Sequence, residues 1–475
     1  SGGIVKLSSG PSFSKLKVAL LCDNKKMRCI SANIISSMEQ LRVLDLNKCI
    51  SLTGIPDTIG NLGSLELLDL SRCINLIPVP WSIGRLKNLK CLPMSGCSTL
   101  IHLPESLGKV SQLETLDLSM CARLRALPQS IGFLSSLQHL NLFSCCSLHH
   151  LPTSIALLKE LSFLVLSGCI NLSCPLPWID QIKIVTGWQE ARTMAIPIDC
   201  WKLGQLEFLH LCSLKKITYL PQLVGKLQHL RHLNLSNCRS LEFLPNDIGS
   251  LFLLEKVDLS HTAIRKLHNT LGHLTSLITL CLRGCSRLLC IPPPVCTLQS
   301  LQLLDMAECW DVVILPDELG KEGALPELLE LDLSGCSIKL LPCFLLGSLG
   351  KLQKLNLADR QHLLSLPETL GNLTSLERFD VEDCKSLVSL KDIGLLELKK
   401  LEWLSLRNCF SLGSLPVSDF LCLRSLKFLD VSGCTGLSPF PEPLLQVRWF
   451  VGGQFGTKDI LDSVRFGSYL VCMPI

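Results

Sequence analysis

Leu113–Ser136 reads LETLDLSMCARLRALPQSIGFLSS, and the chain then says nearly the same again: LQHLNLFSC opens at Leu137, as LKCLPMSGC had opened at Leu89. Within Leu113–Cys121, Leu116 and Leu118 alternate to one face while Thr115, Asp117 and Ser119 point to the other, the two-residue period of a short strand. One such strand cannot bury its apolar face alone, so the copies are expected to stack into a parallel sheet. The return segment LRALPQSIGFLSS adds Leu124, Leu127, Ile131 and Leu134 to the same core. Pro128 breaks any helix through the turn, and Ser130-Ile131-Gly132 suits a short helical or 3₁₀ turn. Return segments take more width than strands, so the stack should curve with its strands on the concave side.

The frame L-x-x-L-x-L-x-x-C has sixteen copies, starting at residues 41, 65, 89, 113, 137, 161, 206, 230, 254, 277, 301, 328, 352, 376, 401 and 426. Each resembles the leucine-rich repeat. The implied fold is an α/β repeat solenoid, a horseshoe with a parallel concave β-sheet and short helical, 3₁₀ or loop segments on the convex side. A length of 475 residues would otherwise suggest several globular domains, but units that pack only on their neighbours remove that limit. The organisation read from the pattern is a degenerate N-terminal repeat or cap over 1–40, repeats over 41–440 and a C-terminal cap over 441–475. In the first of these, Leu16, Ala19 and Leu21 approximate the strand pattern. An irregular unit over 170–205 holds Trp178, Trp188 and Trp201, with Ile179, Ile182 and Ile184 as one eroded strand.

Thirteen of the 26 cysteines fall at the ninth position: Cys49, Cys73, Cys97, Cys121, Cys145, Cys169, Cys238, Cys285, Cys309, Cys336, Cys384, Cys409 and Cys434. A disulfide framework pairs cysteines from different surroundings, whereas this is one environment used thirteen times, which points to a reducing compartment. At that position the strand ends and the backbone turns into the core, leaving polar groups in need of partners. A buried thiol with a weak S–H donor suits it, so the ladder is read as structural, with free and poorly reactive thiols. Leu214, Thr262 and Arg360 take the position in the other three copies.

Little in the sequence suggests chemistry. Net charge is +4, from 45 basic and 41 acidic residues, so neither nucleic acid nor another strongly charged partner is implied. No run of about eighteen apolar residues suggests a membrane span. The Gly-Lys pairs, such as Gly108-Lys109, lack the rest of a phosphate loop, and no nucleophile elbow or paired C-x-x-C site occurs. His210, Cys212 and His232 come nearest to a metal cluster but supply only three ligands, so no metal and no cofactor is expected. Asp45, Asp69, Asp117, Asp258, Asp305, Asp332, Asp380 and Asp430 share the fifth position, where local hydrogen bonding explains them better than an acidic stripe. The sequons at Asn171, Asn234 and Asn372 are read as accidental. An enzyme is not expected.

The blocks LPESLGKVSQLETLDLSMC and LPQSIGFLSSLQHLNLFSC resemble the leucine-rich-repeat region of plant intracellular nucleotide-binding disease-resistance proteins. That resemblance implies the ligand-sensing and autoinhibitory part of a cytoplasmic or nucleo-cytoplasmic receptor in the defence response. Its partner would be a pathogen effector, a guarded host protein or the receptor's own nucleotide-binding domain. The alternative is a free-standing intracellular scaffold of the Ras-group-related type, binding a small GTPase or another signalling protein. The protein-binding surface is expected on the concave face, where the third position changes near the C-terminal end to Lys354, Arg378, Trp403 and Phe428, with Arg407 at the seventh position. Tryptophan and arginine dominate interface energies more often than other residues. Phe143, Phe163 and Phe208 form a second candidate group beside the irregular unit.

Overall fold

The computed structural model describes residues 13–172, 202–338, 348–420, 422–437 and 449–451. The chain divides into two compact units, Ser1–Leu331 and Asp332–Ile475, with the division inside the copy that starts at Leu328. Trp178, Trp188, Trp201 and the eroded strand lie outside the described residues.

In each unit the third to fifth positions of a copy form a three-residue strand, such as Thr115–Asp117, parallel to its neighbours. The register is one to one, with Thr115 opposite His139 and Leu116 opposite Leu140. Each position of the repeat therefore becomes a column running across the strands. The first, fourth, sixth and ninth positions are the core: Leu113, Leu116, Leu118 and Cys121 are all 0% exposed. Ser119, expected to point outward, is buried as well, and its hydroxyl donates to Ser95 Oγ of the preceding copy at 2.8 Å. Val18–Leu20 pairs in register with Val43–Asp45, extending the sheet into the opening unit. Trp449–Val451 pairs with Phe428–Asp430, so strand pairing also continues past residue 440, where the leucine pattern ends.

Two backbone features explain invariants of the frame. The eighth position is left-handed in all sixteen copies, yet only five carry glycine there: Gly96, Gly168, Gly284, Gly335 and Gly433. The return segment forms a 3₁₀ turn, Gln129–Phe133 in this copy, entered from Pro128 at φ −66°. Its glycine is a matter of space: a Cβ on Gly132 would lie 2.2 Å from the carbonyl oxygen of Ser154, in the next turn. At Gly60, Gly84, Gly108 and Gly132 the next turn thus seats its backbone directly on the glycine, whereas Ala156 and Cys296 take the position in two other turns.

Along the second position, charges of opposite sign face each other from copy to copy. Arg42 Nε donates to Glu66 Oε1 at 2.7 Å, and Lys90 Nζ lies 3.7 Å from Glu114. In the second unit Lys427 Nζ lies 2.7 Å from Glu402. These pairs are exposed and contribute about 0–1 kcal/mol each.

Candidate functional site

Because columns are in register, side chains 24 or 25 residues apart in the chain become neighbours on the solvent face of the sheet. In the second unit the third-position column runs Lys354, Arg378, Trp403, Phe428. The Trp403 and Phe428 rings stack with centroids 3.5 Å apart and planes at 10°. The Arg378 guanidinium lies 4.3 Å from the centroid of Trp403. Trp403 is thus half-buried, packed between the Arg378 guanidinium and the Phe428 ring. Its indole Nε1 is buried and has no hydrogen-bond partner among the described residues. Lys354 continues the column as an exposed side chain beside Arg378, while Arg407, also exposed, stands at the seventh position outside the stack.

Asp380 lies buried next to this ridge, accepting from the Glu382 amide at 3.1 Å. Burial, with a smaller push from the Glu382 charge, raises its carboxyl to about 7. The Ser405 hydroxyl in turn donates to Glu382 Oε1 at 2.8 Å. Burial also lowers the proton affinity of Arg378, opposed by Asp380 and Glu382. The Arg378, Trp403 and Phe428 side chains are therefore held by stacking on one another, which leaves them little side-chain entropy to lose on further contact.

The first unit carries a different column. His139, Phe163, Phe208 and His232 follow in register, with ring centroids 5.8, 5.4 and 4.5 Å apart. Phe163 and Phe208 come together as ring neighbours. Phe143, at the seventh position, is 41% exposed and has no ring contact among the described residues. His139 was missed in the sequence, although its third-position placement was the available signal. His232, at the other end of the column, entered the sequence reading only as a metal-ligand candidate. The register sets His232 opposite Phe208 and Asn234 opposite His210, and among the described residues no three ligating side chains converge on a metal position.

The remaining candidates are engaged locally. Each of the eight fifth-position aspartates accepts from the amide two residues on, as Asp117 does from Ser119 at 2.8 Å. Asn141, Asn234 and Asn356 do the same. Asn171 spends its side-chain amide on the Cys146 carbonyl at 2.8 Å. Every described cysteine is a free thiol. The ladder thiols donate to the sixth-position carbonyl of the preceding copy: Cys73 to Leu46 at 3.2 Å, Cys121 to Met94 at 3.3 Å, Cys238 to Leu211 at 3.1 Å. Burial pushes Cys73, Cys121, Cys169 and Cys238 up to about 12, so the thiolate form is scarce at neutral pH. Arg360, at the ladder position of its copy, is 2% exposed and donates Nη2 to the Ile338 carbonyl, while Nε and Nη1 have no partner among the described residues. Among those residues no helix is long and apolar enough to cross a membrane.

A family profile described as "Leucine-rich repeat region" matches residues 1–126 and 189–321. Protein SUPPRESSOR OF npr1-1, CONSTITUTIVE 1 of Arabidopsis thaliana is 31% identical over 147 residues, 30% of this chain and 10% of that protein. Disease resistance protein RPS4B of Arabidopsis thaliana is 31% identical over 135 residues, 28% of this chain and 11% of that protein. The matched segment thus spans about a tenth of the length of these relatives. A solved leucine-rich-repeat protein of Leptospira interrogans covers 89% of this chain and 91% of its own, with TM-score 0.65 and 26% identity. Parallel three-residue strands, repeating 3₁₀ turns and these matches agree: the chain belongs to the leucine-rich-repeat family, a protein-interaction architecture, and is similar in sequence to plant disease-resistance proteins.

Proposed function

We propose that this chain is the ligand-sensing and autoinhibitory portion of a plant disease-resistance receptor, and that it binds a protein partner on the solvent face of its sheet. The Arg378–Trp403–Phe428 stack carries the reading. A tryptophan held between a guanidinium and a phenyl ring is preorganised, and the exposed Lys354 and Arg407 can meet polar groups of a partner. The partner is a pathogen effector, a guarded host protein or the receptor's own nucleotide-binding domain. The similarity to named resistance proteins supports this assignment, and the buried free-thiol ladder supports a reducing, cytoplasmic or nucleo-cytoplasmic setting.

The test compares proteins co-purifying with the wild-type chain, Trp403→Ala and Arg378→Ala, using quantitative mass spectrometry. A partner of this face should be retained by the wild type and lost from both variants, through a weakening of ~1–3 kcal/mol each with the fold intact by circular dichroism. An identical set of partners at identical yield from all three proteins would move the site off this face.

A further inference from the structure

We propose that the solvent face of the copies starting at 137, 161, 206 and 230 is a second recognition surface, which takes an uncharged aromatic or aliphatic protein segment and releases it when its histidines gain protons. The inference rests on the reading that this face of the sheet binds protein. Its first support is an absence of charge. At the third, fifth and seventh positions of these four copies there is no Asp, Glu, Lys or Arg, whereas Asp117 precedes the patch and Lys256 and Asp258 follow it. The charges at its edge, Glu207, Arg231 and Glu255, pair with one another, so a charged partner side chain at the centre would lose its water without meeting a free opposite charge, and the surface selects against it.

The second support is the form of the ring column. The rings of His139, Phe163, Phe208 and His232 meet at interplanar angles of 38°, 46° and 53°, tilted and not stacked. Tilted rings leave parts of their faces open to a partner, unlike the closed ridge of the second unit. His210 joins from the fifth position, 5.7 Å from Phe163. Phe163, Phe208, His210 and His232 are all half-buried, so a partner covering them completes a desolvation already begun.

Protons oppose that step. Burial already lowers the proton affinity of His210, with only Asp258 opposing it. His232 is lowered by burial and by Lys256, His210 and Arg231, against Glu255, whose Oε2 lies 3.8 Å from its Nε2. Across the strands His210 is flanked by Val165 and Asn234, and His232 by Phe208 and Lys256. Both imidazoles are therefore neutral at neutral pH. Covering them lowers their proton affinity further, so below their free-state values each must shed a proton to bind. Affinity then falls by up to about tenfold per pH unit for each such histidine.

The probe is a phage-displayed library of random dodecapeptides, panned on the full chain near pH 7.5. Leading peptides are then synthesised and titrated by fluorescence anisotropy near pH 7.5 and pH 5. Selected peptides should be poor in Asp, Glu, Lys and Arg, and should lose about tenfold or more in affinity on Phe163→Ser and on Phe208→Ser. Wild-type affinity should be weaker at the lower pH, and the double variant His210→Gln/His232→Gln should lose that difference. Should the phenylalanine variants unfold, His232→Arg replaces them: a permanent charge there should cost about tenfold near pH 7.5. Charged consensus peptides, or uncharged ones indifferent to all these variants, overturn the proposal. If binding is instead lost in Trp403→Ala, this patch is refuted while the protein-binding reading of the sheet face stands. Indifference to both sets refutes both.

Discussion

Replacing Gly132 with alanine tests whether the turn-on-turn seating organises the solenoid. The added Cβ would stand 2.2 Å from the Ser154 carbonyl oxygen and 2.8 Å from the Ser154 Cβ. Carbon and oxygen need roughly 3.2 Å, so one turn must retreat from the next by nearly an ångström, and backbone on both sides leaves no flexible side chain to yield. Overpacking of this kind costs about 1–3 kcal/mol. The matched control is Gly63→Ala, whose Cβ would meet nothing within 4 Å. It should be neutral or stabilising by about 0.5 kcal/mol, through the lower entropy of the unfolded chain. Long repeat arrays need not unfold in one step, so the assay pairs urea denaturation with hydrogen exchange resolved by peptide. Gly132→Ala should lower the midpoint and raise exchange first in the peptides of copies 113 and 137. If it leaves stability within about 0.5 kcal/mol of wild type, or if Gly63→Ala is equally damaging, the turn contact is not what fixes the glycine.

Three further outcomes follow from the buried groups. Mass spectrometry of native, non-reduced protein should find no Cys49–Cys73 or Cys97–Cys121 bridge, and alkylation should reach exposed Cys290 and Cys422 before any ladder thiol; a ladder bridge would also remove the argument for a reducing compartment. Asp380 has a carboxyl raised from 3.8 to about 7 by burial, so between those values the folded state holds the proton that the unfolded state releases. Stability should therefore fall as pH rises through that window and level off above it, and Asp380→Asn, which keeps the acceptor for the Glu382 amide, should be more stable near pH 8 by on the order of 2 kcal/mol; a variant no more stable than wild type at that pH refutes the assignment. Arg360→Met should be neutral or stabilising by about 1–4 kcal/mol in urea denaturation, because a buried guanidinium short of partners gives way to an apolar chain of similar length. A loss of more than about 2 kcal/mol would show that Arg360 holds its copy together.

The period of 24 and the alternating leucines made the strands readable, since burying Leu116 and Leu118 together admits only one face. The left-handed eighth position was readable in part from its five glycines, but Met120 and Arg72 hide the same backbone behind side chains with no preference for it. The strand Trp449–Val451 carries no leucine, because its register comes from backbone pairing to Phe428–Asp430. Lys354, Arg378, Trp403 and Phe428 were recognisable as one column, yet the stacking of Trp403 depends on rotamers that no spacing encodes. The ring contacts of His139 and His232 were hidden for the same reason: a tilted ring contact exists only once the columns are in register.

The facing charges of the second position carry a consequence for how such a gene can change length. Arg42, Glu66, Lys90 and Glu114 alternate in sign along four consecutive copies. Excising the single copy that begins at Leu65 would set Arg42 against Lys90, two cations about 5 Å apart that repel by roughly 0.8 kcal/mol in water. Excising two copies would set Arg42 against Glu114 and restore the attraction. Loss or duplication by unequal crossing-over in this stretch should therefore be tolerated better in even numbers of copies, giving the array a parity that its leucines alone would never impose.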